Sequence, residues 1–206
     1  MISGKEALSR LKEGNQQFAA HVRGGSEIIG QARRAQLIQN QEPFAILLGC
    51  SDSRVPAEIV FDQGLGDLFV IRVAGNIVAP SQVGSVEFAA EKFGTRLVVV
   101  LGHSQCGAIA ATLEAMRMPP SAQSRNLRSI VDRVRPSILA LMDTEVARDE
   151  TLLAKHAVRA NIRASTDHLR HGSEILENLI LKQELMVVGA EYSVETGEVD
   201  FFDMPA

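Results

Sequence analysis

Two periods of hydrophobicity divide the chain. Ala7, Leu8, Leu11 and Phe18 recur at the spacing of one helix face behind Ser3 and Glu6, which form a capping box, and they predict an amphipathic N-terminal helix. A second polar, helix-prone stretch follows to about Asn40. The pattern then changes. Pro43 introduces Phe44-Ala45-Ile46-Leu47-Leu48-Gly49, an apolar run without alternation, as expected of a strand buried on both faces. Leu68-Phe69-Val70-Ile71-Arg72-Val73 repeats this pattern, and Leu97-Val98-Val99-Val100-Leu101-Gly102 repeats it with more β-branching. Between the last two runs, Val83, Val86, Ala90 and Phe93 share one face of a predicted helix.

The segment from Cys106 to Met116 reads as a helix packed on that sheet. From Ser124 to about Leu181 the pattern is almost entirely helical, with Leu127, Ile130, Val131, Val134, Ile138 and Leu141 in one stripe and Pro136 expected to kink or break it. Leu185-Met186-Val187-Val188-Gly189-Ala190 is a further buried strand, and residues 194–198 turn into a short last strand through Phe201. Strand, helix and strand in succession imply parallel pairing with right-handed crossovers. The expected fold is α/β: a central, mostly parallel sheet flanked by helices, with an N-terminal helical arm and a C-terminal helical lobe. A single domain over 1–206 is expected, with the arm at 1–40, an α/β core at 43–118, the lobe at 122–183 and the last strands at 185–204.

Composition narrows the function classes. The 21 Lys and Arg against 25 Asp and Glu give a net charge of −4, and no stretch interleaves basic and aromatic residues, so a nucleic-acid partner is not expected. The apolar runs fall short of the roughly 20 residues of a membrane-spanning helix, and Met1-Ile2-Ser3-Gly4-Lys5-Glu6 does not begin a secretory signal. A cytoplasmic protein with a small-molecule substrate and no membrane partner is expected. In that reducing compartment the two cysteines read as thiols or metal ligands rather than a disulfide.

Those cysteines lie in two motifs, Cys50-Ser51-Asp52-Ser53-Arg54 and His103-Ser104-Gln105-Cys106, each at the end of a predicted buried strand. In an open parallel sheet, ligands bind beyond the C-terminal strand ends, so the two segments can meet. Two thiols and an imidazole are donors of the kind zinc prefers, and three protein ligands leave the fourth position that catalytic sites keep for water or substrate. Asp52 can accept a hydrogen bond from a zinc-bound hydroxide, or can bind zinc itself and close the site. Arg54, with a planar fork of donors, can hold that carboxylate ionised and away from the metal.

The three runs Cys50 to Pro56, Phe69 to Asn76 and Gly102 to Gly107 resemble, in order and over nearly the whole chain, the β-class carbonic anhydrases. The resemblance implies reversible hydration of carbon dioxide to bicarbonate and a proton by attack of a zinc-bound hydroxide. It implies Zn2+ on Cys50, His103 and Cys106, catalytic Asp52 and Arg54, and a homodimer or homotetramer. It further implies substrate-side roles for Gln41, nine residues before Cys50, for Phe69 and Phe88 as pocket lining, and for the backbone N–H of Gly107. Members that bind inhibitory bicarbonate at a separate site carry a tryptophan three residues before the first zinc cysteine; here that residue is Leu47 and the chain has no Trp. An accessible zinc without that regulatory site is therefore expected.

The same residues admit other readings. A sister enzyme acting on carbon disulfide or carbonyl sulfide would use the same ligands, and a structural zinc module would take Asp52 as a permanent fourth ligand. Cys50 and Cys106 alone would read as buried thiols. His21, His156, His168 and His171 sit in polar helical contexts as surface residues. Gly64-Leu65-Gly66 lacks the third glycine and the following helix of a nucleotide loop.

Overall fold

The computed structural model describes residues 2–20, 35, 37–117 and 124–205. Five strands form one sheet in the order β2-β1-β3-β4-β5, with β1 at Ala45–Gly49, β2 at Leu68–Arg72, β3 at Leu97–His103, β4 at Met186–Tyr192 and β5 at Val199–Asp203. The first four run parallel and β5 pairs antiparallel to β4. The fold is thus the expected α/β arrangement, a mostly parallel sheet flanked by helices.

Both faces of the inner strands are buried. Ile46, Leu48, Val98 and Val100 enter one core with Val86, Ile109, Val134, Ile138 and Ile162. Leu47, Leu97, Val99 and Leu101 enter a second core with Leu8, Leu11, Val60 and Phe61. Helices α1 (Gly4–Ala19) and α2 (Ala57–Val60) cover that second face. The opposite face carries α3 (Pro80–Phe93), α4 (Gly107–Met116), α5 (Arg125–Met142), α6 (Glu150–His171) and α7 (Glu174–Leu181). Because alternate side chains enter different cores, the strands read as unbroken apolar runs in the sequence.

The N-terminal helix begins as expected, with the Ser3 hydroxyl accepting from the Glu6 N–H at 3.2 Å. The helix-prone stretch to Asn40 lies almost wholly outside the described residues. Two expectations change. Pro136 does not break the lobe's first helix: α5 runs from Arg125 to Met142 through it. Burial of Val131, Val134 and Ile138 on its inner face, worth about 1.5–3 kcal/mol each, outweighs the roughly 3 kcal/mol cost of an interior proline. Strand β2 is not buried on both faces like its neighbours; it is the sheet edge, with Phe69, Val70 and Ile71 half-buried.

This topology fixes where a site can form. From β1 the chain passes through α2 to β2 on one side, then crosses back through α3 to β3 on the other side of β1. The C-terminal ends of β1 and β3 are adjacent, with Gly49 beside Leu101. Their outgoing connections diverge and open a crevice at the strand ends.

Candidate metal centre

Cys50 directly follows β1, His103 ends β3 and Cys106 caps the N-terminus of α4. The crevice therefore brings together donors from two segments about fifty residues apart in sequence. The three donor atoms lie within 4.8 Å of one another, and all three residues are buried. The two sulfurs are 4.0 Å apart, far beyond a disulfide and near the roughly 3.8 Å that two zinc–sulfur bonds of about 2.3 Å would span at a tetrahedral angle.

His103 gives the clearest sign of what the cluster can hold. It is fully buried, and its Nδ1–H donates to the Ser104 carbonyl at 2.8 Å, which leaves Nε2 with the lone pair. That Nε2 is buried with no hydrogen-bond partner. A buried imidazole nitrogen without a partner is costly, and a cation bound between it and two sulfurs removes that cost. The donor set fits zinc.

The sulfurs are unequal. Hydrogen bonding between the two thiols, helped by His103 and the backbone N–H groups of Asp52 and Gly75, outweighs burial and draws the Cys50 thiol down to about 4. The same interaction pushes Cys106 up, and burial adds to it. For His103, burial opposes protonation, but the neighbouring Cys50 side chain, the Ser104 carbonyl and the Asp52 carboxylate favour it and give a net upward shift. The Gly75 N–H reaches Cys50 Sγ at 3.4 Å because Gly75 adopts φ 70°, a left-handed conformation natural to glycine.

Asp52 stands beside the cluster, with Oδ2 3.8 Å from His103 Nε2. Arg54 grips it in a fork: Nε donates to Oδ1 at 2.9 Å and Nη2 to Oδ2 at 2.8 Å, while the Arg54 backbone N–H also donates to Oδ1 at 2.9 Å. The hydrogen bond from the Arg54 side chain, ahead of every other influence, holds the Asp52 carboxyl well below the usual carboxylate range. Nη2 of Arg54 also donates to the Gln105 carbonyl at 3.2 Å, tying the two motifs together.

The remaining candidates are spread around this core. Gly107 is the first residue of α4, and a Cβ there would meet nothing within 4 Å. Gln41 is exposed in the segment before β1. Phe69 and Phe88 meet at 6.2 Å between ring centroids and both contact Phe93, at the β2 edge, where Phe88 is 52% exposed. On the other side of Cys106 opens a cleft of about 1320 Å³, lined among others by Ser104, Gln105, Ile109, Val158 and Glu195. His156, His168 and His171 are exposed on α6, and His21 lies outside the described residues.

Sequence reasoning passed over two residues that touch the site. Arg72, at the end of β2, donates from Nε to the Cys50 carbonyl at 2.9 Å and from Nη2 to the Asp52 carbonyl at 2.6 Å, bracing the backbone that carries both side chains. Its signal was an arginine closing an otherwise apolar strand. Glu195, on the turn before β5, accepts from both Ser104 and Gln105 side chains, and nothing in its sequence context marks it.

A family model described as carbonic anhydrase matches residues 45–199, which include every residue of the cluster and most of the sheet. The chain belongs to the β-carbonic anhydrase family. It is 38% identical over 198 residues to a carbonic anhydrase of Mycolicibacterium smegmatis, covering 94% of this chain and 91% of that protein. It is 36% identical over 193 residues to carbonic anhydrase 2 of Mycobacterium tuberculosis, covering 93% and 89%. Among solved structures, the β-carbonic anhydrase CcaA superposes with a TM-score of 0.74 at 26% identity, over 98% of this chain and 93% of that one. A tetrameric β-carbonic anhydrase of Sordaria macrospora shares the fold, with a TM-score of 0.73 at 22% identity, over 96% and 95%. Carbonic anhydrases are lyases, and the relatives of this chain are enzymes of that kind. No described helix is long and apolar enough to cross a membrane.

Proposed function

We propose that this β-carbonic anhydrase family member reversibly hydrates carbon dioxide to bicarbonate and a proton at a zinc ion held by Cys50, His103 and Cys106. The observation that carries the reading is the fully buried His103, with Nδ1 committed to a carbonyl and Nε2 left without a partner beside two sulfurs. Zinc, when bound, supplies a Lewis acid that lowers the pKa of water toward about 7, as in the carbonic anhydrases that bind it through three histidines.

Asp52 and Arg54 are proposed as the catalytic pair. A carboxylate offers about four acceptor positions. On Asp52, Oδ1 accepts from two Arg54 donors and is filled, whereas Oδ2 accepts from one and keeps a position open. Oδ2 is the oxygen 3.8 Å from His103 Nε2. Asp52 thus accepts a hydrogen bond from the attacking water and turns that oxygen's free lone pair toward the carbon. Arg54 keeps the carboxylate ionised and occupied, so that it orients water rather than serving as a fourth donor. The oxygen–carbon bond forms as one C=O π pair moves onto oxygen, and the displaced proton passes to buffer. Gly107 offers its N–H at the start of α4 to a substrate oxygen.

Gln41, Phe69 and Phe88 are assigned to the substrate side. A ring as exposed as Phe88 forms a pocket wall only where another chain covers it, so this assignment goes with a homo-oligomer. The apolar, half-buried edge strand β2 supports the same reading, and the Sordaria relative is tetrameric. A single functional domain in the cytoplasm completes the proposal, supported by two free thiols that do not form a disulfide. The test is stopped-flow mixing of the purified protein with carbon dioxide and a pH indicator. Hydration well above the buffer rate is expected, and none between pH 7 and 9 would contradict the reading.

A further inference from the structure

The dipeptide Ser104-Gln105 between His103 and Cys106 is held from outside the metal centre by one carboxylate. Gln105 has φ 56°, a left-handed conformation that costs a non-glycine residue free energy and persists where the surroundings enforce it. Glu195 supplies part of that enforcement from the turn between β4 and β5. Its Oε1 accepts from Gln105 Nε2 at 2.6 Å, and its Oε2 accepts from Ser104 Oγ at 2.7 Å and Ser193 Oγ at 3.2 Å. Ser104 is fixed further, its N–H donating to the Tyr192 carbonyl at 2.9 Å and its Oγ accepting from the Val194 N–H at 3.0 Å. These bonds, that from the Ser104 hydroxyl foremost, draw the Glu195 carboxyl down to about 2, so it is ionised at neutral pH.

The gripped residues are the ones whose carbonyls face the centre. The Ser104 carbonyl accepts from His103 Nδ1 at 2.8 Å and fixes which ring nitrogen is free. The Gln105 carbonyl accepts from Arg54 Nη2 at 3.2 Å, on the same guanidinium that holds Asp52. We infer that Glu195 is a positioning residue for the metal centre: by fixing the side chains of Ser104 and Gln105, it sets the two carbonyls that orient His103 and Arg54. The inference rests on the proposed zinc site, and Glu195 itself touches neither substrate nor metal.

The test compares Glu195→Ala, Glu195→Gln, Gln105→Ala and the Glu195→Ala/Gln105→Ala double variant. Two readouts are used: carbon dioxide hydration, and zinc affinity of the metal-depleted protein by competition with a chelator. Partners behind metal ligands typically change affinity by 10- to 100-fold; Glu195 is exposed, so about tenfold weaker zinc binding is expected for Glu195→Ala. Its kcat should fall about as far while KM stays within about twofold, because only orientation is lost. Glu195→Gln, near-isosteric and with one carbonyl acceptor, should lie between wild type and alanine, and it carries the test if the alanine variant fails to fold. The double variant should lose less than the product of its two single losses. Zinc affinity and kcat within twofold of wild type in the Glu195 variants would overturn the inference, as would losses that multiply in the double variant. If the wild type did not hydrate carbon dioxide, the proposed function would fall, and the zinc-affinity comparison would still decide the role of Glu195.

Discussion

Replacing Gly75 with alanine perturbs the support of the centre at one atom. Gly75 sits at φ 70° and ψ 18°, where an L residue pays about 1–2 kcal/mol. An added Cβ would stand 3.0 Å from the Ala108 Cβ on α4 and 3.6 Å from Val134 Cγ2 on α5. Overpacking of that kind costs about 1–3 kcal/mol. Asn161 Nδ2, which donates to the Gly75 carbonyl at 2.8 Å, pins the segment so that it cannot swing aside cheaply. A destabilisation of about 2–5 kcal/mol follows, and for a chain of 206 residues it lowers Tm by about 4–20 °C. The assay is thermal unfolding by circular dichroism at fixed protein and zinc concentrations, since both shift Tm. Gly84→Ala is the control: it is exposed inside α3, its Cβ would meet nothing within 4 Å, and alanine there should stabilise by about 0.5–1 kcal/mol. Gly75→Ala should also retain zinc less well, because the shifted segment carries the N–H that reaches Cys50 Sγ. A Gly75→Ala protein melting within 2 °C of wild type would refute the packing argument.

Two further outcomes are expected. Arg54→Ala should lose hydration activity while keeping one zinc per chain, because the guanidinium orients Asp52 and touches no metal donor; full activity with normal zinc content would remove it from the mechanism. Zinc loading of the metal-depleted protein should release protons, measured with an indicator in weak buffer. Cys50, drawn down to about 4, is already a thiolate at neutral pH, whereas Cys106 is raised and must give up its proton, and His103 is raised and adds a fraction that grows as pH falls. Release should be about two protons per zinc at pH 8.5, one from Cys106 and about one from the water that the metal acidifies; about one proton, or a release approaching three, would contradict the unequal thiols.

The inner sheet and the three donors were legible in the sequence for a physical reason. Strands buried on both faces read as unbroken apolar runs, and two cysteines with a histidine at the ends of such runs have few other uses. The edge position of β2 was not legible, because its composition matches that of a buried strand and only the packing order distinguishes them. Pro136 misled in the opposite direction, since its local cost is visible and the burial that offsets it is tertiary. Arg72 and Glu195 escaped because they act through main-chain carbonyls or neighbouring side chains, and a backbone acceptor leaves no residue-type signature. Gln41 and Phe88 came from resemblance alone, and the single chain places both at its surface.

The most direct test of the account is a zinc titration of the metal-depleted protein with carbon dioxide hydration followed at each step. The activity is expected to be absent without metal, to rise linearly with zinc and to stop at one zinc per chain. Hydration that persists without zinc, or one tightly held zinc with no hydration, would contradict the claim that Cys50, His103 and Cys106 hold the catalytic metal.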